Sequence, residues 1–310
     1  MVITLPAQIN ADGLFPFLSL IGQSDETREI EFDFAALRRV TPAALVALVA
    51  TVNRWQQEDR PVRFRGLEKC VIIGYLQRMD ALRACGVDLP EGFQRHEAKG
   101  RFVPVRQVDR QVDAMGHDMA TCIAPGGDDY GHPLSALYEL AWYVLTEAAN
   151  NARQHSGGTG YAAAQVTRSE GLVRLALADN GRGVLRSFQD AGLAWSAEMD
   201  DAGAIRKALE PFVSSKGGPT NEGVGLTLMS ELARLAKAWL LIVSGTGALR
   251  LEPSGVTTTG MLPARGYYQG TLLTLVFRQD KVHDFALMLH EAKNATGLLR
   301  TQTKAGRFEA

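Results

Sequence analysis

The chain has 310 residues, with 33 Lys and Arg against 34 Asp and Glu and a formal net charge of −1. Its 46% hydrophobic and 22% charged content is that of a globular chain long enough for about two cores. The balanced charge argues against a general nucleic-acid or acidic-membrane binder, and three scattered cysteines without a C-x-x-C pair argue against a disulfide framework or a zinc ribbon.

The opening MVITLPAQINADG lacks the basic start and long apolar core of a signal peptide, so a cytoplasmic chain is expected. Val2-Ile3-Thr4-Leu5 is β-prone, and Glu29 to Phe34 alternates polar and apolar residues with period two, as a half-buried strand does. Thr41-Pro42 then opens a helix, with Thr as N-cap and Pro at the first helical position, running from Ala43 to Trp55. Its Ala43–Ala50 stretch is the longest purely apolar run and falls far short of the roughly 20 residues of a membrane span. Pro61 to Gly66 reads as a strand and turn, and a second helix is expected from about Cys70 to Ala84. Residues 1–100 therefore form a small βα unit. The pattern weakens after Phe93, so 101–131 is read as a linker with an edge strand at Phe102 to Val105.

A second α/β domain is expected over 132–280. A long helix runs from Ser135 to about His155 and stops at Ser156-Gly157-Gly158. Strands Gly160–Thr167 and Leu172–Ala178 follow, and the latter leads into Asp179-Asn180-Gly181-Arg182-Gly183. After a partly helical stretch from Leu185 to Phe212 come a Gly-rich loop (Ser214 to Gly225), a helix Leu226–Lys237, a strand near Leu240–Val243 and a closing strand Gly270–Phe277. An amphipathic helix, about Lys281 to Leu299, belongs to a C-terminal segment 281–310.

Three segments carry candidate chemistry. Glu147, Asn151 and His155 stand four residues apart, so they project from one face of the long helix. A carboxylate beside an amide oxygen suits a hard divalent cation and its waters, although the same spacing also describes an exposed polar stripe. Asp179, at a strand end among glycines, is placed to accept from an exocyclic amine such as that of adenine; a plain Asp-Asn-Gly turn is the alternative. Ser214-Ser215-Lys216-Gly217-Gly218 leads through Gly223-Val224-Gly225-Leu226 into a helix, where free backbone N–H groups favour phosphate oxygens and Lys216 adds a cation. A ligand-free loop is the other reading. The loop is not a Walker A motif, because Lys216 precedes its glycines.

In order and spacing, the segment Val144 to His155, the Asp179-Asn180-Gly181-Arg182-Gly183 turn and Gly223-Val224-Gly225-Leu226 resemble the N, G1 and G2 boxes of the GHKL (Bergerat-fold) ATPase family. That family includes histidine kinases, gyrase-type enzymes, chaperones and anti-sigma serine kinases. The resemblance spans about Leu134 to Arg278 and implies an α/β-sandwich domain that binds ATP and Mg²⁺. It implies that Asn151 ligates Mg²⁺, that Glu147 orients or deprotonates the nucleophile and that Asp179 holds the adenine amine. Gly181 and Gly183 would flank the base. Lys216 with Gly223 and Gly225 would form the lid over the phosphates, and Leu226 belongs to the same cofactor-binding set. Thr274 sits where the family often has a Thr near the adenine. His155 belongs to the same cofactor-binding set or is a surface or capping histidine.

The N-terminal unit is similar to STAS domains, through Ile30–Phe34, Leu37–Leu48 and Val62–Gly66. Where the phosphorylatable STAS version has D-S-S-G at the helix start, this chain has Thr41-Pro42-Ala43-Ala44, without a serine. The expected function is thus an ATP-driven switch acting on a non-phosphorylatable STAS-like unit or on a partner. The alternatives are an anti-sigma-type Ser/Thr kinase acting in trans and a non-catalytic scaffold stabilised by nucleotide. A protein partner of STAS or sigma-factor type is implied, a homodimer is compatible with the resemblance, and neither nucleic acid nor membrane is expected. No phosphoacceptor hairpin precedes the ATP segment, which disfavours a sensor histidine kinase, and the short tail leaves no room for a gyrase-type transducer domain.

Overall fold

The computed structural model describes residues 1–24, 27–215 and 223–299. The first unit is built on strand–helix alternation: β1 (Val2–Thr4), β2 (Gln8–Ile9), α1 (Leu14–Gln23), β3 (Ile30–Asp33), β4 (Arg39–Val40), α2 (Pro42–Gln57) and β5 (Val62–Arg65). β1, β3 and β5 make a parallel sheet in that order, and β2 pairs with β4. Parallel neighbours need crossover helices, and α1 and α2 are those crossovers. Thr41 does occupy the cap position of α2, in extended backbone, but its hydroxyl donates to Ile9 O at 3.3 Å rather than capping the helix. The single helix expected over Cys70–Ala84 is broken into α3 (Ile73–Arg78) and α4 (Ala81–Ala84) by Asp80, whose φ is +52°. The break leaves Met79 O to accept from Val105 N at 2.8 Å, a bond that ties this unit to the next strand.

Residues 101–131 are not a bare linker. They carry β6 (Phe102–Gln107), the expected edge strand extended by two residues, and α5 (Val112–Ile123). Val112, Met115, Met119 and Ile123 recur at three- and four-residue steps and are buried, and α5 packs on α6 (Ser135–Asn151). Beyond α6 come β7 (Gly160–Thr167), β8 (Leu172–Asp179), α7 (Gly183–Asp190), α8 (Asp201–Ala208), α9 (Gly225–Leu235), β9 (Trp239–Gly245), β10 (Gly247–Leu251), β11 (Thr257–Met261), β12 (Tyr268–Arg278) and α10 (Phe285–Ala295). The hairpin β10–β11 and helix α1 have no counterpart among the expected elements.

Seven strands form one antiparallel sheet in the order β11-β10-β9-β12-β8-β7-β6, so the protein is a mixed α/β chain. Helices cover both faces. α5, α6, α9 and α10 share one core with Leu175, Leu177, Leu273 and Leu275. On the other face α2 lies across β7 and β8, where the sheet presents Ala163, Ala176 and Ala178, all buried in the core of the N-terminal unit. Small side chains let helix and sheet backbones approach closely, and this contact joins the two units through one apolar layer. Among the described residues, no helix is long and apolar enough to cross a membrane.

Because that layer is filled, enlarging it is costly. Ala163→Leu is expected to destabilise the protein by about 1–3 kcal/mol, read as a lower urea midpoint at an unchanged m-value.

Candidate functional site

The last turn of α6 widens into a π-helical turn over Ala152–Ser156 and stops at Gly157, whose φ is +69°. That stop turns the chain into β7. The antiparallel return of β8 then brings its C-terminal residue, Asp179, next to the helix end. Gly158 N and Gly181 N donate to Ser156 Oγ at 3.0 Å and Asp179 Oδ1 at 2.9 Å, and Thr159 N donates to Asn180 Oδ1 at 2.8 Å. Helix end and strand end are therefore locked together before any ligand is considered.

Between them lies a cavity of about 110 Å³ that gathers Asn151, His155, Asp179, Gly183, Gly223, Gly225 and Leu226 from three separated segments. Glu147 stands beside its wall: a Cβ on Gly225 would meet the Glu147 carboxylate, so the start of α9 lies directly against this side chain of α6. Gly183 starts α7 at φ +78°, a conformation costly for other residues, with Ser244 Oγ 2.7 Å from where a Cβ would be. Gly181 lies just behind the cavity, bonded to Asp179. Lys216 lies outside the described residues.

Thr274 is not in this cavity. Strand residues alternate faces, and on β12 Thr271 and Leu273 look into the cavity while Thr274 looks the other way, its hydroxyl donating to Leu175 O at 2.9 Å. Thr274 lines instead a larger cavity, about 920 Å³, between the N-terminal unit and the far half of the sheet. Among the described residues, none of the other predicted ones line it, so size alone does not locate the chemistry. The threonine that serves Asp179 is Thr271, whose backbone and hydroxyl both hydrogen-bond to the Asp179 carboxyl. Locating it from sequence would have required the register, because one step along a strand reverses the face.

Sequence reasoning also missed Val184, Ser187 and Phe188 on α7, which wall the cavity opposite α6. Their signal lay in the strong amphipathicity of Gly183–Asp190. Ser187 and Ser215 form a polar thread through this wall: Ser187 Oγ lies 2.7 Å from Ser215 Oγ, and Ser215 Oγ lies 2.7 Å from His155 Nδ1.

The electrostatics are set by burial. Asp179 is 3% exposed and desolvation pushes its carboxyl up to about 7, against the pull of bonds from Gly181 and Thr271. Glu147 is raised as well, first by desolvation and then by Asp113. Asn151 Nδ2 is buried and has no hydrogen-bond partner, an uncommon state for an amide facing a cavity. Among the described residues, no three His, Cys, Asp or Glu side chains cluster to hold a metal. A Mg²⁺ ion needs no such cluster, since it keeps several waters and takes one or two protein oxygens together with phosphates.

The raised Asp179 has a consequence for stability. Below about pH 3.8 the group is protonated in both folded and unfolded chains and contributes no pH dependence. Between 3.8 and about 7 only the unfolded chain releases the proton, so stability falls as pH rises, and above 7 the loss is complete. At ~1.4 kcal/mol per pH unit the loss reaches about 4 kcal/mol at most. Urea unfolding from pH 4 to 8 should show this decline in the wild type, and Asp179→Asn should lack it. Parallel profiles for the two proteins would mean that Asp179 is ionised throughout.

No protein-family model matches this chain, and no curated protein sequence matches it.

Proposed function

We propose that the protein is a Mg-ATP-binding regulator of the GHKL type, in which nucleotide binding or hydrolysis switches what its STAS-like N-terminal unit, or a partner protein, can engage. One observation carries the reading: the buried carboxyl of Asp179 faces the cavity, while the next side chain, Asn180, donates to Ala50 O in the middle of α2 at 3.3 Å. Adjacent residues on one strand end thus touch the ligand space and the N-terminal unit.

The residues fit an adenine nucleotide. Asp179, when ionised, accepts an exocyclic amine, and a purine beside it meets the apolar wall of Leu177, Val184, Phe188 and Leu273. At the other end Asn151 offers a carboxamide that lacks a partner on its nitrogen, and its oxygen is a hard ligand for Mg²⁺. A bound Mg²⁺ would neutralise phosphate charge. Glu147 lies where α6 meets the start of α9, and its raised carboxyl is suited to accept a proton from an attacking hydroxyl or water. The glycines at 223 and 225 open the N-terminus of α9, whose free N–H groups favour phosphate oxygens.

A switch needs a difference in nucleotide affinity between two states of the protein. Asn180 supplies a direct route for it, because whatever shifts Asp179 also shifts the bond to α2. The Thr41 hydroxyl is already engaged by Ile9 O, which supports a switch over phosphorylation at the start of α2.

Calorimetry with ATP, with and without Mg²⁺, tests the reading; a protein that ignores ATP in both conditions refutes it. Asp179→Ala should weaken binding by about 1.5–3 kcal/mol, or roughly 10- to 150-fold in Kd. Since the ionised carboxylate is the acceptor, wild-type affinity should rise about tenfold from pH 6 to pH 8 as Asp179 titrates near 7. Asn151→Ala should remove the Mg²⁺ dependence. Hydrogen exchange across α2 should change on adding ATP, and this change should vanish in Asn180→Ala.

A further inference from the structure

The polar thread His155–Ser215–Ser187 is used by none of the roles above. It joins the end of α6, the approach to the 216–222 segment and the second turn of α7, and all three side chains line the nucleotide cavity. We propose that Ser215 is a phosphoryl acceptor for the protein's own nucleotide, with His155 as its general base; this rests on the ATP reading of the same cavity.

The geometry is that of an activated hydroxyl. A serine is a poor nucleophile unless a base takes its proton, and His155 Nδ1 stands 2.7 Å from Ser215 Oγ, within the range of a direct proton transfer. This requires the ring proton on Nε2, so that Nδ1 accepts from Ser215. Ser187 then donates to Ser215 Oγ and leaves the serine's own proton directed at the imidazole. A base at one end and a donor at the other hold the hydroxyl in a single rotamer, which removes part of the orientational cost of reaction. Position supports the same role. His155 follows Asn151 by four residues, in the turn that continues α6, so the imidazole that Ser215 contacts across the cavity comes from the same stretch of chain as the residue proposed to hold the metal of the phosphate tail.

The step balances. Ser215 Oγ forms a bond to the γ-phosphorus as its proton passes to His155 Nδ1. The bond from that phosphorus to the bridging oxygen breaks, ADP leaves with the electron pair, and the imidazolium later returns its proton to solvent. The product carries nearly two negative charges beside His155 and no longer has a hydroxyl proton to share. The thread that ties this wall to α6 is replaced by an anion paired with the histidine, so the modified and unmodified proteins differ at the mouth of the cavity.

Incubation of the full chain with Mg-ATP, followed by intact-mass and peptide mass spectrometry, tests the proposal. One phosphoryl group per chain, about 80 Da, is expected on the peptide containing Ser215, with one ADP released per modification, and it should be absent in Ser215→Ala. His155→Gln keeps a side chain of similar reach but is a far weaker base, and the labelling rate should fall about 100-fold. Calorimetry on the unmodified wild type with a non-hydrolysable ATP analogue separates the two layers of the argument. Binding without any mass gain overturns the acceptor role and leaves the ATP reading standing. Absence of binding removes both. Label on Ser187 or Ser214 in place of Ser215, or an unchanged rate in His155→Gln, also overturns the assignment.

Discussion

The carboxyl of Asp179 is taken out of water at the end of a central strand, and much of the surrounding structure answers to that. Gly181 N and Thr271 donate to it, Tyr268 OH donates to its backbone oxygen at 3.1 Å, and Gly270 passes so near that a side chain there would collide with Asp179 O. These bonds soften the cost of burial without abolishing it, as the raised carboxyl shows. A group kept at such a cost is a natural place to look for a ligand that repays part of it, and an amine donor of a bound base would do so.

The same strand end ties the cavity to the N-terminal unit. Asn180 is buried and uses both ends of its amide, accepting from Thr159 N and donating to Ala50 O. The alanine-rich contact between α2 and the sheet keeps this bond short of solvent. The two units therefore share a layer of core, and the residue that lines the cavity and the residue that bonds to α2 are neighbours in the chain. Beside this cavity the buried amide nitrogen of Asn151 has no hydrogen-bond partner, and glycines stand at the starts of α7 and α9.

Several features were legible because they depend on local periodicity. Asn151 and His155 both line the cavity, although His155 lies in the π-helical turn beyond α6, and Glu147 meets the start of α9 beside it. The ends of β7, β8 and α9 lie within a residue or two of expectation, since Gly and Asp-Asn-Gly signals punctuate the chain there. Helix α5 went unread because its buried residues alternate with His117, Asp113 and Asp118, so charge masked the apolar step. The continuous helix expected at Cys70–Ala84 failed for another reason: the chain turns at Asp80, in left-handed backbone, and Met79 O pairs with Val105 N instead of continuing the helix.

What the sequence by itself determined is the set of groups on each element: an acid, an amide and an imidazole on one helix, a carboxylate at one strand end, and glycines where backbone must approach closely. Such patterns follow from 3.6- and 2-residue periods and from which residues tolerate positive φ. Only the tertiary structure decided which of these meet. It put Thr271 rather than Thr274 beside Asp179, because strand register sets the face; it brought Ser187 and Ser215 to His155 and carried α2 onto Asn180. Contacts between residues far apart in the chain depend on the summed packing of many side chains, and no local window contains that information.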